Sequence, residues 1–295
     1  MFEVKVPATT ANMGPGYDVL GMALELYNNY RIERIPHGIE IEDWDERPLD
    51  DNLVYYTIRK ILKDYGERLE NVRISVQADI PISRGLGSSA ACIVARMMIS
   101  NHFLDGELSR QDMIQIGTSI EGHPDNIVSA IMGGMNVSVY DDKSQVIHSK
   151  ISLAENLRFA FFIPDFSLST SSARQVMPQN YGLEDCIFNI GRAAMLVAAM
   201  NNGETEKLRF ATKDRIHQPY RGKLLPGIER IFKAAQSLGS KAEMISGSGP
   251  TLLAIIDKQN TDFKVSMDNM LKNLEMNWET IVLRPDLEGA KYYLR

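Results

Sequence analysis

The chain has 295 residues, 44% apolar, 24% charged and 8% aromatic, with 21 glycines and 12 prolines. That is an ordinary globular composition, and it excludes collagen-like and low-complexity classes. A net charge of −6, without a run of lysines and arginines, excludes a protein that grips nucleic acid through its phosphates.

The longest unbroken apolar stretch, residues 193–200, is far short of the roughly 20 residues a membrane span needs. Cys92 and Cys186 build no disulfide framework, and the start, Met1-Phe2-Glu3-Val4-Lys5, has no secretory pattern. A cytoplasmic setting is therefore expected. The length favours two domains.

In chain order, residues 72–80 read as the clearest strand. Val72, Ile74, Val76, Ala78 and Ile80 point one way, and Arg73, Ser75, Gln77 and Asp79 the other, as expected for a sheet with one covered face. Pro81 ends it. A glycine-rich loop follows, and then residues 88–99, apolar nearly all round, read as a buried helix. A second helix is expected from Ser109 to about Glu121, with Asp112 completing a capping box.

Gly133-Gly134 interrupts a strand-like stretch ending near Tyr140, and Asp141-Asp142-Lys143-Ser144 is a polar turn. Residues 157–163 form a buried strand closed by Pro164. Residues 183–200 and 224–238 read as helices, the second stopped by Gly239. Two strand-like runs flank Gly247-Ser248-Gly249-Pro250. Strands and helices alternate in both halves, so the class is α+β or α/β, with a boundary expected near residue 153.

The segment Pro81-Ile82-Ser83-Arg84-Gly85-Leu86-Gly87-Ser88-Ser89-Ala90-Ala91 lies between a strand and a helix. Its glycines permit a sharp bend and close approach to a ligand, and the amides and dipole of the following helix start favour an anion. Ser88 and Ser89 add hydroxyls for phosphate or a hard cation such as Mg²⁺. Taken alone, Gly-x-Gly is equally an ordinary corner whose serines cap the helix. The Gly-Lys-Ser/Thr of a Walker loop and the protein-kinase motifs are absent. Gly85-x-Gly87-x-x-Ala90, with Asp105, has dinucleotide-fold spacing, but four residues separate the strand from the first glycine, whereas that fold turns at once.

The full loop resembles the phosphate loop of the GHMP kinases, which include galacto-, homoserine, mevalonate and phosphomevalonate kinases. Two further segments resemble that family's other motifs: Val6-Pro7-Ala8-Thr9-Thr10-Ala11-Asn12-Met13-Gly14-Pro15-Gly16-Tyr17-Asp18 and Gly247-Ser248-Gly249-Pro250-Thr251. Three more segments are similar to the family's homoserine-phosphorylating branch: Glu121-Gly122-His123-Pro124-Asp125-Asn126, Ser169-Thr170-Ser171-Ser172-Ala173-Arg174 and His217-Gln218-Pro219-Tyr220-Arg221.

The resemblance implies an α+β fold of two domains. The first, expected over 1–153, is an N-terminal nucleotide-holding unit, and the second, over 154–295, is ferredoxin-like. It also implies transfer of the ATP γ-phosphoryl to the hydroxyl of L-homoserine, a step of threonine biosynthesis, with Mg²⁺. The loop from Pro81 to Ala91 would cradle the triphosphate, and Ser88 and Glu121 would ligate the metal. Arg174 and Arg221 would hold the substrate carboxylate and Asp18 its ammonium. Asn12, Asn126, His123 and Thr170 would add substrate contacts.

Some of these residues have a plainer reading. Glu121 is also a helix-end carboxylate and His123 a turn histidine, and a lone arginine is ordinarily a surface charge. Asn52 resembles a residue near the adenine and reads equally as a helix cap after Asp50-Asp51. Asn126 stands where several relatives have an aspartate, and an amide cannot act as a base. The family often forms homodimers, and no interface pattern is legible in this chain.

Overall fold

The computed structural model describes residues 1–42, 49 and 52–294. The chain opens with an antiparallel pair that the alternation reading misses, β1 (Phe2–Ala11) and β2 (Leu20–Arg34). β1 alternates only at its start, and from Val6 to Ala11 every residue is buried, which hides it from a period-two search. β3 (Ile39–Glu42), α1 (Leu53–Asp64), β4 (Val72–Ala78), α2 (Ser88–Phe103), α3 (Arg110–Glu121), α4 (Pro124–Met132), β5 (Met135–Tyr140) and β6 (Val146–Ile151) follow.

The second half holds β7 (Leu157–Pro164), α5 (Thr170–Gln175), α6 (Leu183–Asn202), α7 (Leu208–Ala211), α8 (Gln218–Arg221) and α9 (Ile228–Ser237). It ends with β8 (Ala242–Ile245), β9 (Leu252–Asp257), α10 (Phe263–Leu271), β10 (Trp278–Leu283) and β11 (Lys291–Leu294).

Two sheets result. The first runs β11-β1-β2-β4-β3, with β5 and β6 branching from the start of β2. Its pairings are antiparallel except β3 with β4. The second is antiparallel, in the order β10-β7-β9-β8. Residue 153 lies in the link between β6, in the first sheet, and β7, in the second. β11 returns to the first sheet and pairs Phe2 with Leu294.

The core explains why β7 reads as a continuous apolar run. Phe159 and Phe161 on one face join the larger core shared with the first sheet, and Ala160 and Phe162 on the other pack against α9 and α10. A strand covered on both faces has no polar side to alternate with. The strand expected over 72–80 ends at Ala78, and Val76 and Ala78 are not buried. The helix expected over 224–238 begins at Ile228, after the left-handed Gly227. α3 carries the expected capping box, Ser109 with Asp112.

Candidate active site

Three glycine-bearing loops meet where the sheets adjoin. The first follows β1 and carries Asn12, Met13, Gly14 and Asp18, all with left-handed φ. Only Gly14 takes up that conformation without steric cost. The second runs from β4 to α2, and the third joins β8 to β9.

Hydrogen bonds lace them together. The Ser246 hydroxyl donates to the Gly85 carbonyl (2.7 Å) and pairs with the Thr10 hydroxyl (2.9 Å). The amide of Gly247 donates to Ala11 O (3.1 Å), and that of Thr9 to Leu86 O (3.1 Å). A side chain at Gly85 would meet Ser246 O at 2.4 Å, and one at Gly87 would meet Thr9 Oγ1 at 1.8 Å. The glycines are therefore required by contact as well as by their φ of +74° and +68°.

Gly87 is also the N-cap of α2, and no side chain caps that end. The unpaired first-turn amides and the positive end of a 16-residue helix face the cavity, a setting that attracts an anion. The cavity has a volume of about 560 Å³ and is lined by Ile82, Ser83, Arg84, Gly85, Gly87, Ser88 and Ser89 of the loop, together with residues of the other two loops and of α1 to α5.

Of the loop residues expected at the ligand, Pro81, Leu86, Ala90 and Ala91 do not line it. Leu86, Ala90 and Ala91 are fully buried and pack beneath the loop. Arg84 is at the rim, but its guanidinium donates to the carbonyls of Ile82, Pro164 and Asp165. It fastens the loop to the end of β7 while lining the cavity. Asn52 takes the helix-cap position that its second reading gives it. It is buried and accepts from the amides of Val54 and Tyr55 as the N-cap of α1, and Tyr56 and Thr57, a turn further on, line the cavity instead. The Asp50–Asp51 pair lies outside the described residues.

Opposite the loop stand the charged groups. One Arg174 nitrogen donates to both carboxylate oxygens of Asp18 at 2.9 Å, and another donates to the Tyr17 hydroxyl at 3.0 Å. Arg221, 2% exposed, donates to Ala173 O (3.3 Å) and Gly247 O (3.2 Å) and reaches Tyr17 Oη at 3.5 Å. Burial lowers its pKa, yet a guanidinium stays charged. Tyr17 lies under both arginines, 5.6 and 5.0 Å from ring centre to guanidinium carbon. Asn12 is held at both ends, donating to Gly247 O (2.7 Å) and accepting from the Asp18 amide (3.0 Å). It therefore shapes the first loop against the third, holds Asp18, and also lines the cavity where a substrate contact was expected.

The start of α4 supplies His123, Asp125 and Asn126. Asp125 is buried and accepts from His123 Nδ1 (2.6 Å), from the Asn126 amide (2.8 Å) and from Asn126 Nδ2 (3.3 Å). Burial opposes a charged imidazole, but the bond and charge of Asp125, with Asp18 and Glu121 beyond, outweigh it and raise the His123 pKa. Glu121 accepts from the Ser89 hydroxyl at 2.7 Å, so the helix-end carboxylate does face the phosphate loop. Gln115 is bonded to both backbone groups of Val146 and lies outside the cavity. The Thr170 hydroxyl, 3.4 Å from that of Ser248, closes the rim.

The cavity thus brings together Asn12, Asp18, Ser88, Ser89, Glu121, His123, Asn126, Thr170, Arg174 and Arg221. Sequence reasoning gave no role to Thr9 and Tyr17, which lie beside it, or to Asp125, which lines it. All three stand within the motif segments, and an aspartate directly after His-Pro at a helix start was the signal available.

Residues 52–134 match the GHMP kinases N terminal domain and residues 193–281 match the GHMP kinases C terminal domain. The chain is 48% identical over 295 residues to the homoserine kinase of Clostridium novyi, covering 99% of this chain and 98% of that one. The chain belongs to the GHMP kinases. As a member it is an ATP-dependent kinase of a small molecule. The homoserine kinase of Clostridium kluyveri is 46% identical, covering 98% and 97% of the two chains. The crystal structure of the homoserine kinase from Cytophaga hutchinsonii superposes with a TM-score of 0.86 at 25% identity, over 99% of this GHMP kinase and 96% of that one. Among the described residues no helix is long and apolar enough to cross a membrane.

Proposed function

We propose that this GHMP kinase transfers the γ-phosphoryl group of ATP to the side-chain hydroxyl of L-homoserine, giving O-phospho-L-homoserine and ADP. The observation that carries the reading is the pairing of Asp18 with Arg174, beside buried Arg221, across one cavity from the uncapped start of α2. An amino acid carries both charges. Its ammonium pairs with Asp18 and its carboxylate with the two guanidiniums, exchanging one internal ion pair for two external ones. The names of the relatives support the same substrate.

The triphosphate lies along the amides from Gly85 to Ser89. The hydroxyl oxygen then bonds to the γ-phosphorus as the bond from phosphorus to the β-bridging oxygen breaks, and ADP leaves. Asn126 can donate to the reacting oxygens but cannot take a proton. The hydroxyl proton passes to phosphate oxygen late in a loose transition state, where positioning and charge neutralisation carry the catalysis. Ser88 and Glu121 offer oxygen donors only, a set that fits Mg²⁺. Bound there, the ion would neutralise phosphate charge.

The test is ADP release with homoserine, mevalonate, shikimate and galactose in parallel. Turnover confined to homoserine is expected. Equal or better turnover of a substrate without an ammonium overturns the assignment.

A further inference from the structure

Thr9 has no solvent exposure and lies near the end of β1, between the phosphate loop and α4. Its hydroxyl donates to Asn126 Oδ1 at 2.7 Å. On the other side of that amide stands the buried Asp125 carboxylate, which can only accept and which meets Asn126 Nδ2 at 3.3 Å. The acceptor-only carboxylate draws the amide nitrogen, and the Thr9 hydroxyl, able to donate or accept, donates to the oxygen so placed and holds it there. The space for the hydroxyl exists because residue 87 is a glycine, whose Cβ would lie 1.8 Å from Thr9 Oγ1. The amide of Thr9 is bonded to Leu86 O in the same loop.

We infer that Thr9 is a positioning residue for phosphoryl transfer, locking the Asn126 side chain so that it presents N–H and not C=O to the reacting oxygens. An N–H stabilises the negative charge those oxygens carry, whereas a carbonyl aimed at them would repel it. One hydroxyl thereby sets the group that meets the acceptor in register with the loop that holds the donor. The inference rests on the phosphoryl-transfer reading above.

The test compares Thr9→Val, which keeps the shape and removes the donor, with Thr9→Ser, which keeps the donor. Thr9→Val is expected to lose about tenfold or more in kcat, with both KM values within about threefold, because misplacing a reacting group acts on the transition state. Thr9→Ser should stay within about threefold of the wild type, and Thr9→Val in an Asn126→Ala background should cost less than about twofold, since Thr9 acts through Asn126. A Thr9→Val enzyme within about twofold of the wild type, or full multiplication of the two losses, overturns the inference.

Should Thr9→Val fail to fold, labelled wild-type protein decides. A slowly exchanging Thr9 hydroxyl proton with a cross-relaxation peak to Asn126 supports the tie, and a freely exchanging one refutes it. A wild type that phosphorylates no alcohol counts against the functional reading instead, and the resonance measurement still reports on the tie.

Discussion

Arg174 and Arg221 carry the same charge into the cavity from different surroundings, so their loss should differ. Arg174 is 40% exposed at its side chain and is fixed by Asp18 and Tyr17, and little else depends on it. Arg221 is buried and holds two backbone carbonyls, Ala173 in α5 and Gly247 in the third loop. A charge-assisted bond contributes about 1.5–3 kcal/mol, so Arg174→Ala should raise the homoserine KM by about ten- to a hundredfold at little change in melting temperature. Arg221→Ala should raise it comparably and also lower the melting temperature, because the buried Ala173 and Gly247 carbonyls each lose a charged donor and Gly247 keeps only Asn12. Steady-state kinetics with thermal unfolding check both, and an unchanged KM in the two variants removes the clamp.

These arginines and Asp18 were legible because they fall inside recognisable motifs. Arg84 and Asn52 also fall inside motif segments, yet their polar atoms are taken by nearby backbone groups. A side chain's partner is a tertiary fact, and spacing along the chain does not encode it.

At the level of elements, the uncapped start of α2 is where the proposed reaction puts the triphosphate, and it is exposed by two glycines with backbone or hydroxyl oxygen at their backs. Gly85→Ala would place a methyl carbon 2.4 Å from Ser246 O at a φ of +74°. The loop must shift, at a cost of about 1–3 kcal/mol. The expected result is a lower melting temperature and an ATP KM raised about tenfold or more. A variant with wild-type ATP affinity would show that the loop does not hold the nucleotide.

α2 and α3 were readable because the apolar girth of one and the capping box of the other are local. β1 was missed because half of it is buried on both sides, and a strand so placed looks like any apolar stretch. The first residue of α9 was misjudged because the left-handed turn at Gly227 interrupts an apolar pattern that continues through it.

Over the whole molecule, the three loops are held by groups far apart in the chain, and one of them makes stability depend on pH. His217 is buried beneath the first loop and donates from Nε2 to Gly14 O (2.7 Å), and its Nδ1 has no partner. Burial, reinforced by the positive charge of Arg221 and opposed by the pull of Asp214, lowers its pKa to about 4. The ring is therefore neutral, and its 3.7 Å approach to Asp214 is not an ion pair at neutral pH. Between its ordinary value of 6.5 and about 4, the unfolded chain binds the proton and the folded chain does not, so stability falls as pH falls through that window. His217→Asn should show a shallower decline of the urea midpoint across it. Parallel declines in the two proteins would mean that another group governs acid sensitivity.

The closing of the first sheet by β11, from the last residues described, had no local signal at all. The order of the motifs did carry the architecture, because each motif is the corner of a loop that must reach the same place.

The proposed reaction depends most on recognition, in this cavity, of both charges of a zwitterion beside the phosphoryl donor. The direct measurement is kcat/KM with ATP for L-homoserine, for 4-hydroxybutyrate, which lacks the ammonium, and for 3-aminopropanol, which lacks the carboxylate. A loss of about a hundredfold or more for each analogue is predicted, since each leaves a charged partner in the cavity without its counterion. An analogue turned over within about threefold of homoserine would contradict the claim.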